Sequence, residues 1–401
     1  MPKHKEHLDR KKTKTIGYVS FFLGFSQAVL IYVMSSYFKE ASGTENVGGF
    51  YFIAYSILLL ILLNMHKLAR TLGKTSVFLL VLVFKIISLI FLTNSHPSSW
   101  GIFVLMLYVI SSGLEWVSLD TILESFSCDK ESGRIRGKHL TILNAGFLLG
   151  PFVSTRLLGR FDFSGIFLFL LIFNILVFFY ALLKLRDTNG KTSTDISVID
   201  LLRKVYKRKN VLYIYYISFV LEFFFALMII YMPIYLMDLG LNWDQIGIIF
   251  SVMLLPFVVL QYPMGFLADK KMGEKKLLFF ALFIMAFSAI LVFLTNSPSV
   301  LVWSLVLLLT RIGAAMVEIL RDSYFYKRID GDDVDLIGFF RTAMPVGYIL
   351  AASLSFVILL FLPLSVIFIL SALVVFSALV PAFYLSENKI VRKNRRQTIQ
   401  S

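Results

Sequence analysis

The sequence predicts an all-α integral membrane protein in which twelve transmembrane helices form two pseudo-symmetric six-helix bundles. Three observations carry that expectation: an apolar composition, twelve stretches of membrane-spanning length, and a repeat that lays the second half of the chain on the first. The 401 residues are 58% hydrophobic and 15% aromatic, with 40 Phe, and only 16% are charged; mean hydropathy is +0.80. A soluble domain holds about 25% charged and about 45–50% apolar residues, so a soluble enzyme and most DNA-binding proteins are excluded before any motif is read. Cys128 is the only cysteine, so the chain can form no intramolecular disulfide and has no paired-cysteine metal site.

A bilayer core about 30 Å thick takes roughly 20 apolar residues as helix. Such stretches run over 15–38, 47–66, 75–93, 100–121, 139–159 and 164–183, then over 211–236, 245–267, 276–295, 299–320, 336–361 and 364–385. The first follows Lys3, Lys5, Arg10, Lys11, Lys12 and Lys14, as a signal peptide would, but its apolar run is too long for one and more spans follow, so it is read as retained. The predicted organisation is a tail 1–14, a bundle 15–183, a linker 184–210, a second bundle 211–385 and a tail 386–401. Lys67, Arg70 and Lys74, then Lys130, Arg134, Arg136 and Lys138, then Lys270, Lys271, Lys275 and Lys276 fall on one side, while the turns 94–99 and 296–298 carry no Lys or Arg. The positive-inside rule places that basic side, and both termini, in the cytoplasm. The net charge of +14 then reads as this bias, facing an anionic inner leaflet, and not as affinity for nucleic acid. The linker, with Arg203, Lys204, Lys207, Arg208 and Lys209, reads first as a solvated basic loop and second as a hinge.

The repeat emerges at a nearly constant offset. Tyr18 aligns with Tyr216, Ser20 with Ser218, Phe21 with Phe219, Leu23 with Leu221, Phe25 with Phe223 and Ala28 with Ala226; Gly48 then meets Gly247, Leu68 and Ala69 meet Leu267 and Ala268, Gly73 meets Gly273, and Gly113 meets Gly313. Chance Phe matches are cheap in so apolar a chain, but an offset held from the first to the fourth span of each half is not.

The loop after span 8 contains Gly265, Leu267, Ala268, Asp269, Lys270 and Gly273, and the equivalent loop after span 2 contains Leu68, Ala69, Arg70, Gly73 and Lys74. This resembles the loop signature of the major facilitator superfamily, with one extra residue before the second glycine in the later copy and Arg70 where the family usually has Asp. The resemblance covers nearly the whole chain. It implies a monomeric secondary transporter that moves a small solute by rocking two halves about a midplane site lined by spans 1, 4, 7 and 10. Glycine lets such a loop turn tightly, and a carboxylate at a helix end can accept charge-assisted bonds from the opposite half. Arg70, Gly73, Gly265, Asp269 and Gly273 are therefore expected to gate, with Arg70 reversing the sign of the latch toward Asp330, Asp332, Asp333 and Asp335; a solvated charge run is the plainer alternative. Arg341, near the inner end of span 11, reads as a gate contact or an end anchor, as does Arg156 at the outer end of span 5.

Ionisable residues inside spans cost several kcal/mol in hydrocarbon and usually face a cavity or a partner. Glu222 in span 7 and Arg311 in span 10 lie about 12 residues in, roughly 18 Å deep at 1.5 Å per residue. Gln27 lies at similar depth in span 1. These three, with Glu115 and Trp116 in span 4, are the substrate-site candidates; a static Glu222–Arg311 ion pair is the structural alternative. Glu318, seven residues from Arg311 and on the same helical face, joins the set as a carboxylate that could carry a proton or form half of a gate. Lys85 in span 3 is too deep to snorkel and is expected to pair inward, with Glu115 as the partner in reach. Span 5 carries Gly146, Gly150 and Pro151, resembling a pattern often associated with antiporters; close helix packing explains it at least as well.

Two motifs fail on geometry: Gly73, Lys74 and Thr75 imitate a phosphate-binding loop without its first glycine or preceding strand, and the five His are scattered without metal-site spacing. The expectations are a small-molecule solute, a coupling ion (most plausibly the proton), no cofactor, no catalysis and no nucleic-acid partner. An expelled amphipathic or cationic compound is slightly favoured over uptake of an organic anion held by Arg311. A lipid-handling or receptor-like protein of the same fold is the other class. The chain lacks any Asn-x-Ser/Thr glycosylation acceptor, which points toward a prokaryotic inner membrane.

Overall fold

Hydrocarbon offers the backbone no partner, so a chain this apolar has to close its hydrogen bonds within each segment. Every secondary-structure element of the described residues is accordingly a helix. The computed structural model describes residues 10–124, 132–185, 198–268, 272–328 and 334–387.

Span 1 is α1 (Arg10–Ile31) and α2 (Met34–Ser42), and span 2 is α3 (Gly48–Leu63), extended by α4 (Met65–Leu72). Spans 3 and 4 are α5 (Lys74–Thr93) and α6 (Ser99–Glu124), and spans 5 and 6 run through α7 (Ser132–Lys184). The linker forms α8 (Val198–Lys207), after which span 7 is α9 (Lys209–Asp238) and span 8 is α10 (Trp243–Val259) continued by α11 (Gln261–Leu267). Spans 9 and 10 are α12 (Glu274–Leu294) and α13 (Val300–Tyr326), span 11 is α14 (Val334–Arg341) with α15 (Ala343–Ile358), and span 12 is α16 (Val366–Ser377) with α17 (Leu379–Tyr384). Among the described residues, ten stretches are long and apolar enough to cross a bilayer. His139–Lys184 holds two crossings and the shorter Gly48–Leu63 one more, which gives the expected twelve. The turn between spans 5 and 6 falls at Asp162, whose φ of 54° breaks α7.

The breaks have local causes. Span 1 jogs at Tyr32 and Val33 and ends at Gly43, whose left-handed φ of 71° lets its N–H reach back to the Lys39 carbonyl. Pro263 lacks the N–H that would reach the Val259 carbonyl and its ring crowds that carbonyl, so span 8 breaks at Leu260. The duplication reaches the backbone: Gly73 (φ 88°, ψ 148°) opens span 3 and Gly273 (φ 76°, ψ 157°) opens span 9, a conformation open essentially to glycine alone. These are the paired glycines of the two loop motifs. Gly146 and Gly150 lie against span 1, where an added Cβ would come within 2.9 Å of the Phe25 nitrogen and 2.8 Å of the Val29 nitrogen. Packing thus accounts for the small residues four apart in span 5.

The outer surface carries the apolar belt a bilayer requires, with Leu60, Phe84, Leu176, Leu305 and Leu373 all exposed. Toward the end that holds Lys39 and Asp238, which the charge rule makes the outer one, the buried Tyr231 of span 7 lies against Gly48 of span 2, while Tyr37 and Tyr51 pack within the first half. Of the expected latch, Asp269, Asp330, Asp332 and Asp333 lie outside the described residues; Arg70 and Asp335 are described as helix positions only. Gly265 sits within α11.

Candidate functional site

A cavity of about 220 Å³ opens between the halves, walled by spans 1, 2, 4 and 5 on one side and 7, 8, 10 and 11 on the other. Its upper wall is aromatic. The Trp116 indole N–H donates to Gln27 Oε1, so two predicted residues meet across spans 1 and 4. Tyr55 and Tyr348 stack at 4.1 Å between spans 2 and 11; neither stands out in sequence, because tyrosines are common in this chain.

Arg311 reaches this wall, with its guanidinium carbon 5.6 and 5.3 Å from the ring centroids of Phe224 and Phe225. It is only 3% exposed, yet it forms no ion pair or side-chain hydrogen bond among the described residues, and its Nε is buried without a partner. The Glu222–Arg311 pair does not form. Glu222 instead lies 2.9 Å from Arg321, which also donates to Ser218 Oγ at 2.6 Å. Helical side chains lean toward their own N-terminus, and spans 7 and 10 run in opposite directions. Glu222 therefore leans inward and Arg311 outward, while Arg321 leans up from the inner end to meet the carboxylate.

The inner end of the cavity is a charge network. Arg341 pairs with Asp120 of span 4 at 2.6 Å and lies 3.9 Å from Asp322, which in turn is 3.6 Å from Arg321. Arg341 thus joins the two halves, the placement a gate contact needs; Asp120 was missed because a carboxylate at a span end reads as solvated. Glu318 faces the same cavity without an ion-pair partner among the described residues, and accepts one hydrogen bond from Gln261 Nε2 at 2.6 Å. Gln261 Oε1 accepts in turn from Asn144 of span 5 at 3.1 Å. At the outer end, Lys39 bridges Glu45 at 2.9 Å and Asp238 at 3.2 Å. Lys39 and Asp238 are 199 positions apart, the repeat offset, so the pair joins equivalent ends of spans 1 and 7.

Glu115 leaves the candidate site. It points away from the cavity toward span 3 and pairs with Lys85 at 2.6 Å, both side chains essentially inaccessible. One residue on, Trp116 is turned about 100° around the helix and faces the cavity. The expected inward pairing of Lys85 is thus found, at the expense of Glu115 as a cavity residue.

The four carboxylates and three arginines that line the cavity divide unequally. Asp120, Glu222 and Asp322 share Arg321 and Arg341, which leaves Arg311 and Glu318, two helical turns apart, as the charges without an opposite partner.

No curated protein matches the chain in sequence. Among solved structures, a crystal structure of a point mutant of the nucleoside transporter NupG superposes with a TM-score of 0.71 and 13% identity, over 94% of this chain and 100% of that one. At that identity the likeness is one of fold. A family profile described as Major Facilitator Superfamily matches residues 16–333 and, again, 243–400. With twelve spans, two halves and a polar cavity between them, the chain belongs to the Major Facilitator Superfamily and is a multi-pass secondary transporter of a small solute rather than an enzyme.

Proposed function

We propose that this transporter carries a small organic anion together with a proton, with Arg311 as the anion site and Glu318 as the proton site. The observation that carries the reading is Arg311: a buried guanidinium without a carboxylate is costly unless something charged completes it. Its planar fork suits a carboxylate or phosphate, and the surrounding rings suit a solute with a flat apolar body. The span-5 pattern and an aromatic-rich interior leaned toward an expelled amphipathic or cationic compound, but a cationic solute would meet Arg311 with like charge. The charged lining also supports a water-soluble solute over the lipid-handling alternative.

Glu222 and Glu115 are each held by a cation, which leaves Glu318 as the carboxylate whose charge a proton can neutralise at least cost. One anion and one proton moving together transfer no net charge, so a pH gradient drives accumulation and membrane potential alone does not. Alternating access then opens Asp120–Arg341 at one end and Lys39–Asp238 at the other.

The test is a thermal-shift screen of matched anionic, neutral and cationic analogues on purified protein, since a ligand that binds the folded state raises its stability. Anionic analogues are expected to stabilise the wild type and to lose that effect in Arg311→Gln. Stabilisation by cationic analogues, retained in Arg311→Gln, would overturn the reading.

A further inference from the structure

A hydrogen-bonded chain of two amides runs from Glu318 to the opposite half of the molecule. Gln261, 0% exposed at the junction of α10 and α11, donates from Nε2 to Glu318 Oε2 at 2.6 Å and accepts at Oε1 from Asn144 Nδ2 at 3.1 Å. Glu318 and Gln261 belong to spans 10 and 8, and Asn144 to span 5. The contact lies toward the inner end, near the Asp120–Arg341 pair.

A carboxamide is directional, with a donor at one end and an acceptor at the other. An ionised carboxylate can only accept, so Glu318 in that state fixes the orientation of Gln261: its NH2 must face Glu318, its oxygen must face Asn144, and Asn144 must donate. Both bonds then point one way, and the first is charge-assisted. A proton added to Glu318 from cavity water removes the charge and gives the acid a donor of its own. The charge assistance is then lost and the orientation of Gln261 is no longer imposed, so its bond to Asn144 is held less firmly. The charged groups that face Glu318 are Arg311, Arg321 and Asp322 on its own helix, Glu222 from span 7 and Arg341 from span 11. All but Arg311 are engaged in ion pairs, and none of them hydrogen-bonds to Gln261 or Asn144.

We propose that Gln261 and Asn144 are positioning residues through which the proton on Glu318 governs the contact between spans 5 and 8: the ionised form holds the inner ends of the two halves together and the protonated form releases them. This rests on the reading of Glu318 as the proton site. The expected direction is that acidification, with no solute present, separates the inner ends.

Spin labels test this in nanodiscs without solute. Cys128→Ser removes the native thiol, and cysteines at Leu149 of span 5 and Tyr262 of span 8, both lipid-facing, carry the labels. The distance distribution should lengthen as pH falls. Glu318→Gln should show the long distribution at every pH, and Gln261→Leu and Asn144→Leu should lose the pH response. Gln261→Asn, which keeps the amide but is one methylene too short to span both partners, should lose it as well and serves if the leucine variants do not fold. An unchanged pH response in Gln261→Asn, or no response in the wild type, would overturn the relay. If the response is present while anionic analogues fail to bind Arg311, the substrate reading fails and the relay stands; if anion flux is proton-coupled but the response ignores Gln261, the relay fails alone.

Discussion

Both halves of the transporter bury charge, but they do so to different ends. In the N-terminal half, Lys85 and Glu115 form a closed pair behind the cavity wall, 2.6 Å apart and essentially inaccessible. In the C-terminal half, Arg311 and Glu318 face the cavity and neither forms an ion pair among the described residues. The desolvation cost is of the same kind in both places. What differs is whether the protein itself completes the charges, and the two left incomplete are those proposed above as the anion site and the proton site. The N-terminal half contributes mostly neutral groups to the cavity: Gln27, Trp116, Tyr55 and Asn144, with Asp120 as its charged residue, paired to Arg341.

The largest expected effect comes from opening the closed pair. Lys85→Met should leave Glu115 buried and unpaired, and cost about 3–5 kcal/mol of stability. Removing both charges in Lys85→Met/Glu115→Leu should recover most of that and leave transport intact; thermal denaturation and flux of the two variants decide it. If the double variant is stable but inactive, the pair belongs to the mechanism and the contrast between the halves collapses.

Arg311→Gln should leave the fold almost unchanged, because no ion pair or side-chain hydrogen bond among the described residues is lost, and should weaken anion binding by about 1.5–3 kcal/mol, roughly ten- to a hundredfold in affinity by titration calorimetry. Loss of stability in place of affinity would mean that Arg311 is structural. The smallest effect belongs to the outer pair. Lys39 and Asp238 are 30% and 39% exposed, so solvent screening limits Lys39→Gln to roughly 0.2–1 kcal/mol. That difference from wild type should shrink at high salt, and a salt-independent difference would assign Lys39 a role other than this pair.

The sequence was most legible where geometry follows from repetition. Twelve spans, the duplication and the special glycines at 73 and 273 could all be read, because span length and offset are one-dimensional properties. Polar groups expected in mid-span also converge, since Gln27, Trp116, Glu222, Arg311 and Glu318 all line the one cavity between the halves. Partners could not be read, because they depend on helix rotation and on the lean of each side chain. Glu115 and Trp116 share a depth but point to different neighbours, and Glu222 and Arg311 share a depth but lean apart. Gln261 and Asn144 escaped notice because an uncharged amide in a span is a weak signal beside an ionised group. An amide two residues before Pro263, at the break this proline imposes on span 8, was nevertheless a clue, since a broken helix exposes polar backbone that a functional group can share. The latch expected around Arg70 and Asp269 falls on residues and side chains outside those described.

The most direct test of the contrast is uptake of a stabilising anion into proteoliposomes under an inward proton gradient, with Lys85→Met/Glu115→Leu and Glu318→Gln protein measured side by side. The account predicts that the variant without the closed pair accumulates the anion above equilibrium, whereas Glu318→Gln binds and exchanges it but only equilibrates. Accumulation by Glu318→Gln, with none by the variant lacking Lys85 and Glu115, would place the coupling in the wrong half and contradict the account.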